Sequence, residues 1–273
     1  MIVRSALIRA LGTFAIVLLL PVVGCSTSNP GQPATTTDQA TSDGLVRIAD
    51  AARARNDFAM AADFYRRAVE KSPASAPLLI TLGDTLMGLG AFDKAEGAYR
   101  MVAEREPQNE SALSGLGSAE IALGRPADAL VHLRQATALK PDDIKVRRNL
   151  AVALDLAGHH VEARDLYEAA LRQAPDDLDL KSDYALSLAL AGSHDEAVRI
   201  MHEVAASPLA APRHQRNLVL ILGLAGQDDR AAELAHQTLP AEEADTLLAR
   251  ARALRTVTGP TEQAGALGTA VGG

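Results

Sequence analysis

The chain has 273 residues, 48% hydrophobic and 22% charged, a balance that excludes an intrinsically disordered polymer. Its formal net charge of −7 argues against a nucleic-acid binder, whose affinity rests on basic stripes. A single cysteine excludes both an internal disulfide framework and a cysteine-rich zinc site. Aromatic residues make up 3% of the chain and Trp is absent, while the helix formers Ala and Leu dominate. No long β-branched run suggests a buried strand, so the composition predicts an all-α protein.

Met1 to Arg9 carries two arginines, Arg4 and Arg9, and no acid. The 14 residues from Ala10 to Val23 are almost wholly apolar. That is short for a transmembrane helix, which needs about 20 residues, and suits the core of a signal peptide. The run ends in Val22-Val23-Gly24-Cys25, which resembles the lipobox of bacterial lipoproteins. The resemblance implies cleavage after residue 24 and acylation of Cys25, whose several acyl chains would give a stable anchor. The alternative is an uncleaved membrane anchor with an incidental cysteine. Removing residues 1–24 would take away two positive charges and bring the net charge from −7 to −9. Ser26 follows the cysteine. In the lipoproteins resembled, Asp there favours retention at the inner membrane, so Ser implies the periplasmic face of the outer membrane. Residues 26–41 (STSNPGQPATTTDQAT) are polar and rich in Ser, Thr and Pro. With the cysteine they form an expected segment, 25–41, that acts as a disordered tether spanning roughly 20–25 Å.

Beyond residue 41 a period of 34 governs the chain. Gly90, Gly124, Gly158, Gly192 and Gly226 keep it, with Asn56 in the same phase. So do Ala61, Ala95, Ala129, Ala163, Ala197 and Ala231, and so do Pro73, Pro107, Pro141 and Pro175, with Pro208 one residue early. The glycine predicts a left-handed cap ending a first helix. The alanine predicts close approach within a second helix, and the proline stops that helix. Between them the apolar residues follow helical spacing, as in Leu79, Leu82 and Leu86. Pro141-Asp142-Asp143 and Pro175-Asp176-Asp177 supply capping oxygens for the helix that follows.

This pattern resembles the tetratricopeptide repeat (TPR) over residues 42–245, as units 42–75, 76–109, 110–143, 144–177, 178–211 and 212–245. Unit 76–109 carries Leu79, Leu82-Gly83, Leu86, Gly90, Phe92, Ala95, Tyr99 and Pro107 at signature positions. Arg147, Lys181 and Gln215 depart from the large residue usual at the fourth position, and Ala235 replaces an aromatic. The implied fold is a right-handed α-solenoid of about six hairpins. A further helix is predicted from about Ala241 to Val257, its part beyond the sixth unit (246–258) capping the array. The Gly- and Ala-rich tail, 259–273, reads as flexible.

No catalytic motif emerges: the chain has no HExxH, no GxSxG and no phosphate-cradling loop. The seven histidines are scattered; His160 and His194 share a repeat position beside the hairpin turn, His159 adjoins His160, and they read as exposed turn residues or, alternatively, as metal ligands. The expectation is a protein that is not an enzyme, with no catalytic residue, metal, cofactor, small-molecule substrate or nucleic acid. In the family resembled, ligands lie against the first helices. Carried over, the positions give Lys145, Arg148, Val152 and Asp155, then Asp179, Ser182, Leu186 and Ala189, then Arg213, Arg216, Leu220 and Gly223. Four basic side chains thus line the expected inner face, with Asn149 and Asn217 beside them to hydrogen-bond a peptide backbone. They suggest a groove for an acidic or C-terminal segment of a partner, the alternative being ordinary solvated charge.

Residues 149–177 (NLAVALDLAGHHVEARDLYEAALRQAPDD) and 184–235 are further similar to the TadD lipoproteins of the tight-adherence (Tad), or Flp, pilus assembly system. The run ASPLAAPRHQRNL followed by LGLAGQ carries most of that similarity. It implies a periplasmic assembly factor whose partners are proteins, the secretin or other pilus components among them. A lipidated scaffold for cell-envelope enzymes or for outer-membrane protein assembly is the other reading.

Overall fold

The 34-residue period becomes a series of antiparallel helix pairs in a computed structural model, which describes residues 36–257. Thirteen helices occur among the described residues, and no strand. They are α1 (Thr36–Arg53), α2 (Phe58–Lys71), α3 (Ala76–Gly88), α4 (Phe92–Arg105), α5 (Glu110–Ala122) and α6 (Pro126–Leu139). These are followed by α7 (Ile144–Leu156), α8 (His160–Gln173), α9 (Leu178–Leu190), α10 (His194–Ala205), α11 (Pro212–Leu224), α12 (Asp228–Thr238) and α13 (Ala241–Thr256). Each odd helix up to α11 is the first of a hairpin. From α3 to α11 the first helices pack against one another, and the second helices lie behind them. α13 takes the place that a seventh first helix would hold, against α11 and α12.

The turn chemistry follows the sequence. The five periodic glycines all have positive φ, between 71° at Gly124 and 84° at Gly192, and Asn56 takes the same conformation at 59°. Each hairpin then closes with a backbone hydrogen bond reaching back five residues, as from Ala91 N–H to the Leu86 carbonyl at 2.9 Å. The side chains of Asp143 and Asp177 accept from the backbone N–H groups of Val146 and Leu180, capping α7 and α9 as expected. All six periodic alanines are fully buried. One further repeat position, held by Tyr65, Tyr99, Leu133, Tyr167, Met201 and Ala235, is also buried throughout. The array therefore absorbs a large change of side-chain size at one slot.

Three features refine the sequence expectation. α1 begins at Thr36, so residues 36–41, expected in the tether, are helical; after Pro33 nothing in this stretch breaks a helix. Two of the departures at the fourth position bond the chain that precedes their helix: the Arg147 guanidinium donates to the Pro141 carbonyl and Gln215 donates to the Ala205 carbonyl. α10 ends at Ala205, one unit in which the stop comes early, consistent with Pro208. The expected signal peptide (1–24), Cys25, most of the tether and the tail 259–273 lie outside the described residues. No helix among the described residues is long and apolar enough to cross a membrane.

Candidate functional site

The first helices enclose a cavity of about 680 Å³ on the inner face. Its lining comes from the α3–α4 turn, α5, α7, α8 and α9. Met87, Leu89, Phe92, Ile121, Val152, Leu156, Leu186 and Leu190 form the apolar walls. Arg148, Asn149, Asp155, Asp183, Ser118 and Ser187 add a polar strip with the Tyr167 ring behind it.

That strip follows from the repeat. In the first two units Tyr65 and Tyr99 donate their hydroxyls to Asp50 and Asp84, fifteen residues earlier. In the fourth unit the matching residue is Val152, which cannot accept. The Tyr167 ring lines the same cavity as Asp155, one helical turn on from Val152. Asp155 receives the Ser187 hydroxyl at 2.9 Å and sits 2.9 Å from His160 Nδ1. Burial pushes the Asp155 carboxyl up despite these hydrogen bonds. Beside it, Arg148 Nε lies 2.5 Å from Asp183. Burial raises the Asp183 carboxyl as well, more than Arg148 lowers it, and Asp179 and Asp155 add to the rise.

Of the ten groove residues expected from sequence, the structure brings Arg148, Asn149, Val152 and Leu186 together around the cavity. Asn149 is held there by donating to Ser118 at 2.9 Å. Ser182 and Leu220 are corrected: at 1% and 2% exposure they belong to the packing between helices and offer a partner nothing. Asn217 donates to the buried Ser182, a similar pairing to Asn149–Ser118 two units further along the array. Arg213 is occupied by Asp179, and Arg216 by Glu243 of α13. Burial alone would raise the Asp179 carboxyl, but Arg213 and His214 hold it below its ordinary value. Lys145 is exposed on α7 and lies outside the cavity. The expected row of four basic residues thus contains three that are already neutralised by acids.

The histidines differ too. His160 is half-buried against Asp155 rather than exposed at its turn, and Nδ1 of His194 is buried without a partner. No cluster among the described residues has three metal-ligating side chains. Asp155 was among the expected inner-face positions, but its pairing with Ser187 was not foreseen, and neither was Asp183. The signal for Asp155 and Ser187 was a carboxylate and a hydroxyl at inner-face positions where the neighbouring units carry Ala or Ile; at the position of Asp183 the neighbouring units carry Asn149 and Asn217.

Comparison with known proteins completes the assignment. The tetratricopeptide repeat family matches residues 52–119 and 120–182. The hairpins within residues 52–182 are tetratricopeptide repeats. A tetratricopeptide repeat protein from Parabacteroides merdae shares 18% identity, covering 80% of this chain and 86% of its own, with a TM-score of 0.66. PilW, a type IV pilus biogenesis factor, shares 17% identity over 77% of this chain and 97% of its own, with a TM-score of 0.63. PilF of Pseudomonas aeruginosa shares 19% identity over 74% of this chain and 92% of its own, at 0.56. At these identities the likeness is one of fold. No curated protein matches the chain. The TPR solenoid is a protein-interaction scaffold, and repeats of this kind mediate protein–protein contacts.

Proposed function

We propose that the chain is a lipoprotein anchored through Cys25 at the periplasmic face of the outer membrane, where its TPR array holds protein components of a Tad-type pilus during assembly. The observation that carries the scaffold role is the open, apolar-walled cavity on the inner face, bounded by Phe92, Ile121, Val152 and Leu186. The lipobox at Val22–Cys25 supports the anchor. The TadD-like stretches 149–177 and 184–235 support the pilus system, and so does the fold shared with PilW. The array works by presenting side chains on a rigid curved surface, and it needs no reaction step.

Cross-linking in cells followed by capture of the lipidated protein tests the role. Recovery of a secretin or other pilus components, lost when residues 42–245 are deleted, is the expected result. Recovery of peptidoglycan enzymes or of the outer-membrane insertion machinery instead would overturn the pilus role. The anchor has its own check. Cys25→Ser is expected to move the protein from the membrane fraction to the soluble fraction of the cell envelope.

A further inference from the structure

The inner cavity carries an imbalance of charge. Arg148 is the one lysine or arginine in its lining, and two carboxylates, Asp155 and Asp183, face the same space. Asp183 is occupied by Arg148 at 2.5 Å. Among the described residues Asp155 has no guanidinium or ammonium partner; its hydrogen bonds come from the Ser187 hydroxyl and the His160 ring. The surroundings are apolar, so a charge here is poorly screened and its complement counts for more than on open surface.

Resting on the reading of the array as a protein scaffold, we infer that this cavity takes a partner segment presenting a lysine or arginine among apolar side chains. The cation meets Asp155 and Asp183, and the apolar groups lie along Phe92, Ile121, Val152 and Leu186. An acidic segment, which the basic residues of the sequence suggested, is disfavoured. The only arginine in the cavity is already paired, and a third carboxylate would face two others. The volume, about 680 Å³, falls within the range that holds a ligand of a few side chains.

The test is selection of a random heptapeptide display library on the full-length protein in detergent. A TPR-free lipoprotein serves as control. The selected peptides are expected to carry Lys or Arg flanked by Leu, Ile, Val or Phe. A synthetic copy of the best one should lose about tenfold in affinity when its cation is replaced by Gln, and more when it is replaced by Glu. Asp155→Asn keeps an acceptor for Ser187 while neutralising the charge, and it should abolish the difference between the Lys and Gln peptides. Asp183→Asn is the second variant, should the first fail to fold. Enrichment of acidic peptides, no enrichment over the control, basic peptides without apolar neighbours, or a Lys preference that survives both variants would each overturn the inference. Capture of pilus components in cells together with an acidic selection would remove this inference and keep the role. A basic–apolar selection with unrelated captured proteins would do the reverse.

Discussion

Asp155 is a carboxylate that the array has taken out of water and surrounded with donors. Asp155→Ala would leave the buried Ser187 hydroxyl without its acceptor, and a loss of about 2 kcal/mol in urea unfolding is expected. Asp155→Asn retains an acceptor and should stay within about 1 kcal/mol of the parent. Because burial raises this carboxyl in the folded state, the fold binds its proton more tightly than the unfolded chain does. The group's contribution therefore favours the fold at low pH and is lost as pH rises through the raised value. Acidification from neutral pH should relatively stabilise the parent over Asp155→Asn, read as a shift in the difference between their urea midpoints. Glycines divide by the same local reasoning. Gly97 in α4 has open space around it, so Gly97→Ala should stabilise by about 0.5–1 kcal/mol. A side chain at Gly115 would strike the Tyr99 ring, and there Gly115→Ala should destabilise by about 1–3 kcal/mol. Thermal melts of the pair give the sign directly. Arg148, Asn149, Val152 and Leu186 line one cavity, and their common face was legible because a repeat fixes which face a position occupies. The ion pairs of Arg213 and Arg216 were not legible, because their partners, Asp179 and Glu243, lie 34 and 27 residues away and the periodicity says nothing about who neutralises whom.

At the scale of helices, nearly everything was readable because each signal is local. A positive-φ glycine, a capping aspartate and a stopping proline act within one turn of the chain. The start of α1 was not readable, since composition alone cannot separate a polar tether from the first turns of a helix. α13 shows what a terminal element does. Ala244, Leu248, Ala251 and Leu254 are buried, and Gly223 of α11 leaves room for Ala251. Arg216–Glu243 and Arg255–Asp228 tie the same helix to α11 and α12. Truncation after Leu239 should therefore expose the last hairpin. Hydrogen exchange is expected to lose protection across α11 and α12 while α3 to α6 stay protected. Uniform protection in the truncated chain would show that α13 contributes nothing to the hairpin.

Across the whole array the apolar interior is divided among successive clusters rather than gathered into one core. Leu133, fully buried on α6, abuts Gly117 of α5 close to the place where the cluster around Tyr65 and Tyr99 gives way to the one around Leu154 and Tyr167. Leu133→Ala should cost about 3 kcal/mol and split a single urea transition into two, followed by circular dichroism. A single, merely shifted transition would mean that the neighbouring units stay coupled without it.

The inner cavity has one lip at Met87 and Phe92 in the second unit and the other at Leu186 and Leu190 in the fifth. Three unit-to-unit junctions separate them, stacked in series along a spiral ramp. The width of the opening is consequently a property of the ramp's pitch, and no single contact sets it. Each junction passes its own small rotation to the next, so the lips add up what the junctions do one by one. An occupant gripped at both lips winds the spiral like a spring, and a substitution buried at any of those three junctions retunes the aperture without touching the occupant.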